Sequence, residues 1–248
     1  MIDLNKIYNE DCIAVLNRIP DKSVDLILTD PPYIISRESG FTRMSATADP
    51  ILLGKYKNHT IDFGDWDKED LDIQKLFSEF HRILKPNGSL IWFYDIWKIG
   101  EVKDVAEKLG FKQPRVCQWV KNNPVPVNSK NNYLSNAIEF FITFVKKEKP
   151  TFNSQYDNGI YNFPIYHSKD RFHPTQKPIE LMKALIKKHT TENMIILDPF
   201  AGSSTTAVAA IEMNRQWIMI EKNHEYYEKS IARIGSLSNQ YSGNNNGE

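Results

Sequence analysis

The chain has 248 residues, 41% of them hydrophobic, and 31 Lys plus Arg balance 31 Asp plus Glu for a formal net charge of zero. That length holds one sizeable α/β domain or two small ones, and the charge balance excludes a bulk basic footprint for nucleic acid, so any such binding uses local patches. Two cysteines, Cys12 and Cys117, exclude a disulfide framework or a zinc site and suit a reducing, cytoplasmic compartment; residues 1–6 lack a signal-peptide pattern, and the longest apolar run, 138–145, is too short to cross a membrane.

Strand-like runs alternate with helix-like ones, the pattern of a doubly wound α/β sheet. Seven strands are predicted, at 6–10, 24–29, 89–94, 115–120, 138–145, 194–198 and 217–221. Helices are predicted at 11–18, 70–84, 99–109, 178–189, 204–214 and 223–234. The strongest is 70–84, where Ile73, Leu76, Phe77, Phe80, Ile83 and Leu84 share one face and Pro86-Asn87-Gly88 provides a stop. A polar segment, not a helix, separates 115–120 from 138–147, so these two runs read as an antiparallel pair at one edge of a mostly parallel sheet. Three stretches break the core pattern: 34–68, 121–136 and 149–175. They read as functional excursions within one domain spanning 1–235, followed by a disordered tail at 236–248. Lys146-Lys147 reads as a solvated face. Glu139, a carboxylate in an apolar strand, reads equally as a structural or a functional group. His167 and His173 are too isolated in sequence to suggest a metal.

Directly after the apolar run 24–28 comes Thr29-Asp30-Pro31-Pro32-Tyr33. It places a carboxylate, a rigid turn and an aromatic ring at the carboxyl end of a buried strand, where open α/β sheets bind ligands. The acid and a main-chain carbonyl suit the two hydrogens of an exocyclic amino group, and the ring offers a face for stacking.

A second strand–turn–helix follows at Ile195-Ile196-Leu197-Asp198-Pro199-Phe200-Ala201-Gly202-Ser203-Ser204-Thr205-Thr206. Gly202 permits close backbone approach to a ligand, and Ser203 or Ser204 suits a helix cap. About twenty residues on, the run 217–220 ends in Glu221, placed to accept from ribose hydroxyls. A single glycine and no following Lys argue against a phosphate cradle. Asp198 at the turn suits an ammonium or sulfonium instead. A nucleoside cofactor with a cationic end, beside a pocket for an amino-bearing ring, points to methyl transfer from S-adenosylmethionine (SAM).

These residues resemble the β-class DNA amino-methyltransferases, which modify adenine N6 or cytosine N4. Asp30-Pro31-Pro32-Tyr33 is similar to the family's catalytic motif, and Asp198–Ser203 to its SAM-binding motif, in the permuted β-class order. Asn9-Glu10-Asp11-Cys12 resembles the strand-end motif whose Asp contacts the SAM adenine. Phe172-His173-Pro174-Thr175-Gln176-Lys177-Pro178 resembles the segment that closes over the methionine part. Glu10 stands where the family usually has Gly, and Ser204 where a second Gly is common. The resemblance, over about residues 4–234, implies a Rossmann-like SAM-dependent methyltransferase fold. Its implied catalytic set is Asp30, Pro31, Pro32 and Tyr33. Its implied cofactor set is Asp11, Cys12, Asp30, His173, Thr175, Gln176, Lys177, Asp198, Phe200, Gly202, Ser203, Ser204, Thr205, Glu221 and Lys222.

On this reading Asp30 and the Pro31 carbonyl accept the two amino hydrogens, and Tyr33 stacks on a base everted from duplex DNA. The first-position Asp resembles the adenine-N6 members; cytosine-N4 transfer is the alternative, and a non-catalytic nucleic-acid-binding module a further one. DNA contacts are expected from the three excursions, with Lys121, Lys130, Lys169 and Arg171 on phosphates. A homodimer and a cognate restriction enzyme are compatible with the resemblance; the sequence decides neither.

Overall fold

The computed structural model describes residues 2–32, 71–124, 136–167, 171–173 and 175–243, with backbone alone at 238–243. The chain divides into two compact units, one of Met1–Pro31 with Ile73–Glu248 and one of Pro32–Asp72. The predicted excursion 34–68 and most of 121–136 lie outside the described residues, as do Tyr33, Lys130, Lys169 and Pro174.

The first unit contains one sheet. Its strands are β1 Lys6–Tyr8, β2 Val24–Thr29, β3 Leu84–Phe93, β4 Lys112–Lys121, β5 Ile138–Val145, β6 Ile160–Phe163, β7 Ile195–Asp198 and β8 Gln216–Ile220, in the order β1-β8-β7-β2-β3-β5-β4-β6. Helices are α1 Cys12–Leu16, α2 Ile73–Ile83, α3 Ile99–Lys108, α4 Ile179–His189, α5 Thr205–Glu212 and α6 His224–Gly243. Helix α6 runs past Gly235, through part of the segment expected to be a disordered tail. None of the described helices is long and apolar enough to cross a membrane.

Every predicted strand is present, and the antiparallel pair is there: β5 runs against both β3 and β4. The strand count and the edge differ from expectation. The sheet has eight strands, and the reversed strand β5 lies inside it, because β6 adds parallel to β4 and forms the edge. Four residues among Asn, Asp and Gly carry too short a pattern to announce a strand. Partners elsewhere create it: Gln118 N–H donates to the Gly159 carbonyl at 2.9 Å, and the Trp119 indole to the Phe163 carbonyl at 2.8 Å. Gly159 sits at φ +71°, and a Cβ there would lie 2.9 Å from Cys117 Sγ.

Strand β2 is buried along its whole length, as a parallel strand covered on both faces must be. Its one charge, Asp25, accepts from Lys85 Nζ with both oxygens at 2.8 Å and from the Ile195 amide at 2.9 Å. That carboxylate ties β2 to β3 and to the start of β7, and so helps set their register. Helix α2 buries Leu76, Phe77, Phe80 and Ile83 as its periodicity predicts. The Phe77 ring meets Trp92 edge-on at 5.1 Å and also contacts Phe80, Phe111 and Phe144. Leu84, expected in the helix, already pairs with Val24 in β3. Lys146 is not solvated: it is 7% exposed and donates to the Leu84 carbonyl at 2.7 Å.

Helix α5 is buried on all sides over its first six residues, where small Ala and Thr side chains allow close packing. It begins from Ser204, which holds a left-handed backbone, φ 55° and ψ 33°, at zero exposure. A non-glycine residue there is strained, and its hydroxyl has no hydrogen-bond partner among the described residues.

Ser204→Gly relieves the strain but frees the unfolded chain, so stability rises by a net of about 0.5–1 kcal/mol, read by urea unfolding. Asp25→Ala strands the Ile195 amide and lowers stability by about 2 kcal/mol on the same measurement, discounted because Lys85 is partly solvated.

Candidate active site

A parallel sheet gathers the carboxyl ends of its strands along one edge. Here β8, β7, β2 and β3 end there, and the reversed strand β5 begins there. Asp30, Glu139, Asp198 and Glu221 thus come to a single rim from four strands.

One part of the rim is built on the glycine turn after β7. Asp198, 4% exposed, accepts from Thr29 Oγ1 at 2.7 Å, the Phe200 amide at 3.1 Å and Thr206 Oγ1 at 2.7 Å. Burial pushes its pKa up to about 6 in spite of those bonds. Gly202, at φ +52°, donates its amide to Glu221 Oε2 at 2.7 Å, and the Asn223 amide donates to Oε1 at 2.8 Å. Burial lifts Glu221 to about 7 against these two donors. Helix α6 clamps the turn from outside: Ser230 Oγ donates to the Gly202 carbonyl at 3.0 Å and Arg233 to the Ser203 carbonyl at 2.7 Å. Inside it, the Ser203 and Thr205 hydroxyls lie 3.0 Å apart. Phe200 turns its ring edge-on to Trp92 at 6.3 Å.

Two other segments converge on this turn. Asn9 Nδ2 donates to the Glu221 carbonyl at 2.8 Å and the Lys222 carbonyl at 3.1 Å, which brings the end of β1 beside the end of β8. Asp11 then caps α1, accepting from the Ile13 amide at 2.9 Å. The segment before α4 passes over the turn: a Cβ on Gly202 would lie 3.3 Å from the His173 ring, which also meets Tyr226 edge-on at 4.5 Å. Burial, with Lys177 and Arg171 nearby, lowers His173 to about 4, so it is neutral. The amide and hydroxyl of exposed Thr175 lie 3.3 Å and 3.2 Å from its Nδ1. Gln176 is 4% exposed, and its Oε1 has no partner among the described residues.

The rest of the rim carries Asp30 and the buried Pro31, directly after β2. Asp30 Oδ2 is paired with Lys177 Nζ. The same ammonium reaches Glu139 Oε2 at 3.0 Å and lies 5.1 Å from the Phe93 ring centre. Glu139 Oε1 is held by Lys121 at 2.8 Å. Asp30 Oδ1 is buried and has no partner among the described residues. Burial raises the Asp30 pKa, Lys177 opposes that, and Glu139 adds to it. Burial would also raise Glu139, but Lys177 and Lys121 together hold it below the usual carboxylate range.

The predicted residues therefore separate into two neighbouring groups joined by the Thr29–Asp198 bond. Lys177, expected beside a cofactor, also holds Asp30. Cys12 is half-buried, and burial beside Asp11 raises its thiol to about 11, an unreactive state. Lys222 and Thr175 are exposed. Lys121, expected on phosphate, is 11% exposed at its side chain and is paired with Glu139. Sequence reasoning overlooked Thr29 and Thr206, whose hydroxyls satisfy Asp198. Only the fold shows that they face it.

The sequence model of the family described as DNA methylase, which unites adenine-N6 and cytosine-N4 enzymes, matches residues 24–233. The chain is 31% identical over 259 residues to the type II methyltransferase M2.MboI of Moraxella bovis, covering 94% of this chain and 88% of that protein. It is 30% identical over 257 residues to the type II methyltransferase M.HinfI of Haemophilus influenzae, covering 94% and 69%. The crystal structure of the M1.HpyAVI–SAM complex superposes with a TM-score of 0.65 at 28% identity, over 92% of this chain and 98% of that one. With two acidic groups set at one rim on a sheet of this order, the chain belongs to the N6/N4 family of SAM-dependent DNA methyltransferases.

Proposed function

We propose that this protein methylates adenine N6 in duplex DNA, with Asp30 Oδ1 as the acceptor that orients the target amino group. The observation that carries the proposal is the state of Asp30: one oxygen is neutralised by Lys177, and the other is buried with no partner among the described residues. A buried acceptor left unsatisfied is unfavourable by about 1–3 kcal/mol, so a donor that reaches it is held strongly. An amino hydrogen is such a donor. The Pro31 carbonyl takes the second hydrogen, and together the two bonds release the nitrogen lone pair from conjugation with the ring. Tyr33 stacks on the base once it has left the duplex, an excursion costing a few kcal/mol.

The rim also fits SAM. Asp198 suits the cationic end, Glu221 the ribose hydroxyls, and Asp11 the adenine side; Gly202 admits close approach. The orphaned Gln176 Oε1 and Ser204 Oγ are buried polar atoms of the kind a ligand satisfies. When bound, SAM supplies an electrophilic methyl carbon on a sulfonium sulfur. Orientation at such a site is worth on the order of 7–11 kcal/mol of the barrier.

Tritiated SAM with duplex DNA of mixed sequence, digested to nucleosides, yields label in N6-methyladenine alone; label in N4-methylcytosine rejects the adenine assignment. Asp30→Ala lowers transfer by at least about 10²-fold while SAM affinity stays near wild type. Asp198 and Glu221 both titrate higher in the fold than in the unfolded chain, so the folded protein binds protons more tightly. Stability of the ligand-free protein therefore falls as pH rises through about 6 and 7. A cationic ligand favours the ionised acids, so calorimetric SAM affinity weakens as pH is lowered through the same window, with proton release on binding.

A further inference from the structure

Four charged side chains of alternating sign run along the rim as Lys121–Glu139–Lys177–Asp30, each from a different part of the chain. Lys121 closes β4, Glu139 opens β5, Lys177 precedes α4 and Asp30 follows β2. We propose that Glu139 and Lys177 are positioning residues that lock Asp30 by its Oδ2 and aim its Oδ1 at the target amine. The inference rests on the reading of Asp30 as the acceptor and assigns the means by which it is held.

Three features separate this from a chain of ion pairs that merely fastens the fold. Desolvating ions is so unfavourable that a buried pair contributes little stability over an apolar replacement, so stability alone does not explain it. The pairing is also lopsided. Glu139 has both oxygens engaged, whereas Asp30, at the end of the chain of charges, has one engaged and one left over. A fastening pair would be expected to satisfy both. Finally, the Lys177 ammonium sits against the Phe93 ring, which limits its movement.

The reversed direction of β5 makes the arrangement possible. A parallel strand would bring its last residue to this rim; β5 brings its first residues, and Glu139 with them. The charged groups facing Asp30 are then Lys177 from the segment before α4, Glu139 from β5 and Asp198 from β7, with Lys121 acting through Glu139. Lys177 favours the ionised form of Asp30 and Glu139 opposes it, so removing each moves the titration of Asp30 in opposite directions. Those opposed shifts report the electrostatic coupling; a positioning role adds a loss of transfer at unchanged SAM affinity, which a merely structural role does not predict.

The test pairs two readouts on the full-length protein. One is the pH dependence of transfer to duplex DNA at saturating SAM. The other is a ¹³C carboxyl NMR titration of Asp30 without SAM or DNA, its signal assigned by its loss in Asp30→Asn. Lys177→Met moves the acid limb and the Asp30 titration to higher pH by about 1–3 units and lowers the plateau rate by about 10²-fold. Glu139→Gln moves both to lower pH by about one unit, and Lys177→Arg returns the limb toward its original place. SAM affinity stays within about threefold throughout, because the charge chain holds Asp30 and not the cofactor. If one variant does not fold, the transfer rate and SAM affinity of the other, read beside its shift, decide. Unmoved titrations, shifts in the same direction, or a loss of transfer matched by an equal loss of SAM affinity overturn the proposal. Full transfer by Asp30→Ala sinks the acceptor reading itself. An inactive Asp30→Ala beside unmoved Lys177→Met and Glu139→Gln profiles sinks only the positioning role.

Discussion

The bond from Thr29 Oγ1 to Asp198 Oδ1, 2.7 Å long and closed between residues 169 apart in sequence, joins the two halves of the site. It exists because β2 lies beside β7 in parallel register, with Leu26 opposite Ile196 and Ile27 opposite Leu197. That register carries Asp30 and the glycine turn to one rim. The buried Asp25 anchors the other end of the same pair of strands through the Ile195 amide. The spacing between the two groups at the rim is therefore a property of the sheet, not of the loops. A rigid scaffold of this kind is what an oriented reaction requires.

Burial of charge distinguishes the two groups. Asp198 and Glu221 are surrounded by neutral hydroxyl and amide donors, and both sit well above the usual carboxylate range, at about 6 and about 7. They suit a cationic or hydroxyl-bearing ligand, whose arrival favours their ionised forms. Asp30 is half-buried and carries its counter-ion with it, in the form of Lys177, itself shared with Glu139. Asp198 and Glu221 are satisfied by neutral donors alone, whereas Asp30 is held by an ammonium and has one oxygen without a partner among the described residues. The same physical cost of desolvation thus serves two different tasks.

Local strain appears at the glycine turn between β7 and α5. Ser204 adopts the left-handed conformation that a glycine takes freely, and its hydroxyl is buried without a partner among the described residues. Helix α6 compensates by gripping the preceding carbonyls through Ser230 and Arg233. The turn is consequently over-determined: a strand enters it, a helix leaves it, and another helix holds it from the side.

Much of this was legible in one dimension. The continuous apolar run of β2, the one-sided face of α2, the strand–glycine–helix order after β7 and the acid at Glu221 all follow from local chemistry: periodicity, turn residues and the exposure of strand ends. So do the identities of Asp30, Asp198 and Gly202 as candidates, because short motifs state which groups occupy a strand end. The partners of those groups were not legible. Strand β6 was missed because four residues lack a pattern of their own and are ordered by β4. The pairing of Lys121 with Glu139 is not legible because the charge is local while its partner arrives from a neighbouring strand. The motif places Lys177 beside the cofactor, and only the fold shows that its ammonium reaches Asp30. Local chemistry along the chain states which side chains are reactive and at which end of the sheet they stand. Which of them meet is set by the folded arrangement, since the direction of β5 and the register of β2 on β7 arise from contacts between segments far apart in the chain.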